Sequence, residues 1–187
     1  MRRLIIFAIA LLAAAEAAPA QPRPDGPAGG GRSLYISPAG EPFRGGDGLR
    51  AWFTGADADG DGRLTLAEFR ADAVRFFKAL DKDGDGILRG LELQTYEREI
   101  VPEIIGLYGG APEFGGGRGP GRVGAARFSL LNIPQPVTGA DLDGDRRVSL
   151  AEFEQTAGIR FDLLDRTKAG VLTLETLAPP DSRRRRR

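Results

Sequence analysis

The sequence predicts an all-α fold, built from helix-loop-helix repeats in two duplicated pairs with short β contacts between loops. Three observations carry that expectation. "DADGDGRLTLAEFRADAVRFFKALD" aligns without a gap on "DLDGDRRVSLAEFEQTAGIRFDLLD", at a constant offset of 84 residues. Asp57, Glu68, Phe69, Phe77 and Asp81 thereby fall on Asp141, Glu152, Phe153, Phe161 and Asp165, which makes the chain an internal duplication. Between the acidic stretches, Phe69, Ala73, Phe76, Phe77 and Leu80 recur at helical spacing and form an apolar stripe suited to a core.

The elements follow in order. Residues 1–20, "MRRLIIFAIALLAAAEAAPA", place two arginines before an apolar run and end in small residues, the layout of a cleaved secretory signal peptide. The apolar run from Leu4 to Ala15 is shorter than the ~20 residues a membrane span needs, and Glu16 closes it. The expected location is therefore periplasmic or secreted. Residues 21–48 form a Pro/Gly-rich leader in which "SLYISPAGEPF" offers Leu34, Tyr35, Ile36 and Phe43 for docking on the body. Residues 49–108 hold the first loop pair, with Trp52 and Phe53 packed in the helix that leads into it. Residues 109–125 read as a Gly-rich linker, 126–178 as the second loop pair, and 179–187 as a basic tail. In "LQTYEREIVPEIIGLY", Leu93, Tyr96, Ile100, Ile104 and Leu107 share a helical face best read as core, and Pro102 is placed to kink it.

Composition narrows the chemistry. The chain has no Cys and no His. Disulfides, thiolate sites and the commonest general base are thus excluded, and stability must come from a core or from bound metal. The formal net charge is zero, but Arg183–Arg187 are concentrated in the tail, so the body is acidic. Much of that acid sits in the loops.

Each loop repeats an oxygen pattern. A twelve-residue calcium loop supplies side-chain oxygens from positions 1, 3 and 5, a backbone carbonyl from 7, a group at 9 and a bidentate Glu at 12, with Gly at 6 for the turn. The first loop meets every requirement with Asp57, Asp59, Asp61, Gly62, the Arg63 carbonyl, Thr65 and Glu68. The second offers Asp81, Asp83, Asp85, Gly86, the Ile87 carbonyl and Glu92. Its Arg89 at position 9 cannot accept a bond from a bridging water, so one indirect contact is lost. The third keeps Asp141, Asp143, Asp145, the Arg147 carbonyl, Ser149 and Glu152, but Arg146 stands where Gly is expected. Left-handed backbone at an L-residue costs about 1–2 kcal/mol, so this site is expected to be the weaker one. The fourth loop, "DRTKAGVLTLET", has Ala169 at position 5 and Thr176 in place of the bidentate Glu. It is expected to hold no calcium. Leu64, Leu88 and Leu172 occupy position 8, where an apolar residue can join a short strand between paired loops.

These loops resemble the EF-hand calcium-binding family. With "YISPAGEPFR", "TYEREIVPEI" and "LLNIPQPV", the chain resembles exported alphaproteobacterial EF-hand proteins. The resemblance implies Ca2+ as the bound ion and a helix-loop-helix fold; it implies no particular activity. One departure bears on architecture. Only Phe69 to Leu80 separates the first two loops, so Leu66 to Leu80 is expected to serve both as a single helix of roughly 22 Å, with a kink near Ala71 and Asp72 as the alternative. If the helix stays straight, the loops at its two ends cannot pair with each other, and each would have to pair with a loop of the other half.

The function expected is calcium binding without catalysis, as a buffer or a metal-stabilised structural module. The alternative is a calcium sensor that docks a dedicated, unidentified protein partner. Met1 is the sole methionine, which argues against a promiscuous Met-rich docking groove. The arginine tail reads as solvated chain with at most a weak anionic-surface contact, and no nucleic-acid partner is expected.

Overall fold

The computed structural model describes residues 33–105 and 122–178. The expected signal peptide, the greater part of the Gly-rich linker, Leu107 and the basic tail lie outside the described residues. No helix among the described residues is long and apolar enough to cross a membrane.

The chain opens with a hairpin, β1 (Leu34–Ile36) against β2 (Pro42–Arg44), paired antiparallel with Tyr35 opposite Phe43. α1 (Gly48–Ala56) follows, capped by the Asp47 carboxylate, which accepts from the Arg50 amide. β3 (Leu64–Thr65) leads into α2 (Leu66–Leu80). β4 (Ile87–Leu88) leads into α3 (Gly90–Thr95), which passes into a π-helical turn at Tyr96–Ile100 and a 3-10 turn at Pro102–Ile104. Pro102 thus breaks the helix where a missing amide hydrogen should break it. In the second half, 3-10 turns at Gly124–Phe128 and Thr138–Ala140 precede β5 (Val148–Ser149), α4 (Leu150–Leu164), β6 (Val171–Leu172) and α5 (Leu174–Leu177).

Two parts of the all-α expectation need correction. The leader contributes the β1–β2 hairpin, and its Tyr35 and Ile36 are buried in the common core. The third loop is not preceded by an α-helix. The stretch equivalent to α1 contains Pro134 and Pro136, which cannot donate within a helix, and it forms only the short turn Thr138–Ala140. The helix-loop-helix plan is therefore complete in the first half and abbreviated in the second.

α2 runs unbroken, as expected. It is closed at its N-terminus by a capping box in which Thr65 and Glu68 satisfy each other's amides; Ser149 and Glu152 do the same for α4. α2 and α4 pack side by side and antiparallel. Phe69 meets Phe161 edge-on with ring centroids 5.6 Å apart, and Phe77 meets Phe153 at 5.4 Å. These contacts interchange when the two halves are exchanged, so the duplication becomes an approximate twofold axis through the middle of the helix pair.

Loop pairing follows. β3 pairs with β6, setting Leu64 opposite Leu172, and β4 pairs with β5, setting Leu88 opposite Val148. The first loop therefore joins the fourth at one end of α2 and α4, and the second joins the third at the other. All four apolar residues are buried.

The hairpin is fastened to this frame by polar contacts that span long stretches of chain. The Arg160 guanidinium, buried in α4, donates to the Pro38 carbonyl at 2.7 Å and the Pro136 carbonyl at 2.6 Å. Burial without a carboxylate partner pulls its pKa down to about 10. The Tyr96 hydroxyl donates to the Gly40 carbonyl at 2.9 Å. A Cβ at Gly40 would stand 2.8 Å from that hydroxyl, and its φ of +108° also favours glycine. Trp52 donates from Nε1 to the buried Asp72 at 2.9 Å, and Arg75 bridges Asp72 to Glu41 of the hairpin turn.

Candidate metal centre

The loops are organised by their own carboxylates before any ion is considered. In the first, Asp57 accepts from the amides of Gly60 at 3.1 Å and Gly62 at 2.9 Å, one on each oxygen. Asp59 Oδ1 accepts from the Asp61 amide and Asp61 Oδ1 from the Arg63 amide. Glu68 closes the ring: Oε1 accepts from the Ala58 amide, and Oε2 accepts from the amide and hydroxyl of Thr65. Those donors hold its carboxyl below the usual range, the Thr65 amide foremost and the Thr65 hydroxyl next.

The second and third loops repeat the scheme. Asp81 accepts from Gly84 and Gly86, and Asp141 accepts from Gly144 and Arg146. Glu92 reaches back to the Lys82 amide at 2.8 Å and Glu152 to the Leu142 amide at 3.0 Å. The Ser149 amide and hydroxyl hold the Glu152 carboxyl below its usual range, as Thr65 does for Glu68.

Ligand oxygens converge at three places among the described residues. Asp57, Asp59 and Asp61 form one group, Asp81, Asp83 and Asp85 a second, and Asp141, Asp143 and Glu152 a third, each with its chosen oxygens within 4.8 Å of one another. The donors are all hard oxygen, the set a divalent cation such as calcium prefers. Asp145 stands outside the third group, its Oδ1 bonded to the Arg147 amide at 2.7 Å. Arg63 and Arg147 lie just before β3 and β5, and Ile87 lies within β4, so the three position-7 carbonyls sit where loop turns to strand.

Arg146 takes the left-handed backbone that the missing glycine requires, with φ at 66° against 78° at both Gly62 and Gly86. The loop path is therefore kept despite the substitution. The fourth loop shows no converging ligand group. Its Asp165 still accepts from the amides of Ala169 at 3.0 Å and Gly170 at 2.7 Å, and Thr176 fills the place of the terminal Glu with a hydroxyl that accepts from the Thr173 amide.

The second loop holds a feature that the sequence reading missed. Arg89 does more than withhold an acceptor: its Nη2 pairs with Asp85 Oδ2 and lies 3.9 Å from Asp83 Oδ2. The signal was present, since Asp85 and Arg89 are four residues apart in a loop whose acids all converge.

Residues 49–71 match the family model for the EF hand, a span covering the helix before the first loop, the loop itself and the start of α2. No curated protein and no solved structure gave a match. An EF hand implies a divalent metal, usually Ca2+, and the oxygen groups of the first three loops fit that ion.

Proposed function

We propose that this chain, a member of the EF-hand family through residues 49–71, is a calcium-binding protein of the cell envelope, periplasmic or secreted, that acts as a buffer or metal-stabilised module and not as an enzyme. The observation that carries the reading is the convergence of carboxylate oxygens in three loops, each closed by a Glu at the twelfth position. Export rests on the sequence of residues 1–20, and the absence of His and Cys favours binding over catalysis.

Holding is favoured over sensing by the shared helices. α2 leaves the first loop and enters the second, while α4 leaves the third and enters the fourth. Swinging either helix to open one end would displace a loop at the other and part the Phe69–Phe161 and Phe77–Phe153 contacts. A sensor must expose an apolar groove on binding; this frame resists it.

Calorimetric titration with calcium tests the reading. Three binding events are expected, and Glu68→Gln, Glu92→Gln and Glu152→Gln should each remove one. Four equivalent events would refute the assignment of the fourth loop. Calcium at a hundred times its dissociation constant stabilises by about 2.7 kcal/mol per site, so the melting temperature should rise. A hydrophobic dye should dim or stay constant as calcium is added. Brightening, from a metal-free state that is already well folded, would favour a sensor docking a dedicated protein partner.

A further inference from the structure

We propose that Arg89 is a tethered counter-ion of the second loop, competing with calcium for Asp85 and Asp83 and setting that loop's affinity below the first loop's. The inference rests on the metal-binding reading of the loop. Backbone amides already engage one oxygen of each acid: Asp83 Oδ1 accepts from Asp85 at 3.1 Å and Asp85 Oδ1 from Ile87 at 2.9 Å. The Oδ2 of each carries no amide and is the oxygen most open to a cation, and the Arg89 guanidinium faces both. Guanidinium is permanently charged and only donates, so it can neither join the ion's coordination shell nor become neutral to make room. Calcium must displace it.

The first and third loops show what Arg89 replaces. Thr65 and Ser149 hold the same position, and their hydroxyls donate to Glu68 and Glu152 at 2.7 Å each. Both also cap the following helix. In the second loop Glu92 keeps only the Arg89 amide there, at 3.2 Å, and α3 has no side-chain cap. Arg89 therefore removes a group that positions the bidentate ligand and adds a cation beside two others.

The Arg89 side chain is 46% exposed, so its replacement does not disturb the core. The test uses the full chain carrying Glu68→Gln and Glu152→Gln, which leaves the second loop as the source of calcium heat. Arg89→Gln removes the charge, keeps a neutral polar side chain and restores no hydroxyl; Arg89→Ser removes the charge and supplies one. An exposed ion pair contributes at most about 1 kcal/mol, so Arg89→Gln should bind calcium about fivefold more tightly, and Arg89→Ser at least as tightly. Equal affinity for Arg89 and Arg89→Gln would overturn the proposal, even if Arg89→Ser were tighter, because the missing hydroxyl and not the charge would then be responsible. Loss of calcium heat in all three proteins would instead overturn the metal reading of the loop itself.

Discussion

Arg146→Gly asks where the strain of the third loop is borne. Arg146 sits at φ 66° with its amide donating to Asp141 Oδ2 at 2.9 Å, so the left-handed turn exists in the fold as described, with the carboxylate holding it in place. That conformation costs an L-residue about 1–2 kcal/mol. Glycine would relieve it but would add about 0.4–1 kcal/mol of unfolded-state freedom, leaving a net gain of roughly 0.5–1 kcal/mol. For a chain of this size the melting temperature should rise by about 2 °C. With the Asp141 carboxylate holding the turn, the strain should fall on folding, and the calcium affinity of the third site should change by less than about twofold, unlike the weakening that the sequence alone suggests. Arg146→Ala supplies the control: it removes the same charge while keeping a β-carbon, so the glycine-minus-alanine difference reports the backbone alone. Thermal melts without calcium, beside calorimetric titration of each variant, give both quantities. If glycine melts no higher than alanine yet binds calcium tenfold more tightly, the metal-free loop relaxes out of the left-handed turn. The strain would then be a cost of binding and not of folding.

Two further outcomes follow from the buried polar groups. At Asp165, burial pushes the carboxyl up, but the amides of Gly170 and Ala169, the Thr167 hydroxyl and the Lys168 ammonium together bring it below its ordinary 3.8. A depressed carboxyl stabilises the fold above its unfolded value and loses that effect as pH falls through the folded one. Asp165→Asn should therefore have a lower urea midpoint at pH 7, with the gap to the parent closing below about pH 3.8; a gap that persists in acid would remove charge from the explanation. Arg160→Met leaves the Pro38 and Pro136 carbonyls without their donor, at about 1–3 kcal/mol each, partly offset by no longer burying a charge. A net loss of about 2 kcal/mol and a fall in melting temperature of about 4–8 °C are expected; a higher melting temperature would mean that desolvation of the guanidinium dominates.

What could be read from the sequence was local or repeated. The acidic loops and the apolar stripe of Phe69, Phe76, Phe77 and Leu80 are such signals, and α2 runs from Leu66 to Leu80 where they place it. The cross-half loop pairing is legible only on the condition that this helix is unbroken, because loops at its two ends then cannot touch. The hairpin was legible only as a docking segment, since its fixings come from afar: Arg160 lies 122 residues from Pro38, and Arg44 reaches the Ile100 carbonyl and both carboxylate oxygens of Glu103. The missing helix before the third loop was written in Pro134 and Pro136, but the strength of the duplication masked it. Arg89 shows a different failure. Its place in the loop pattern tells only what it cannot accept, whereas its donors determine what it does in the fold.

The fourth loop then has a physical reason to keep its shape after losing its ligands. β6 is the strand on which β3 closes, so Leu172 must face Leu64 for the first loop to sit at the end of α2 and α4. Nothing in that role needs a metal, provided the loop still turns. Asp165 turns it by accepting from Ala169 and Gly170, the Thr173–Thr176 pair starts α5, and Gly170 supplies the left-handed step at φ 74°. Protein donors thus do at this end what an ion would otherwise do, and they do so without calcium. The first loop consequently has a partner whose order does not depend on the metal, while the second and third must each be filled beside another carboxylate-rich loop. Calcium should accordingly enter the end closed by the fourth loop with no help from a neighbouring ion, and the other end should be where filling one loop alters the filling of the next.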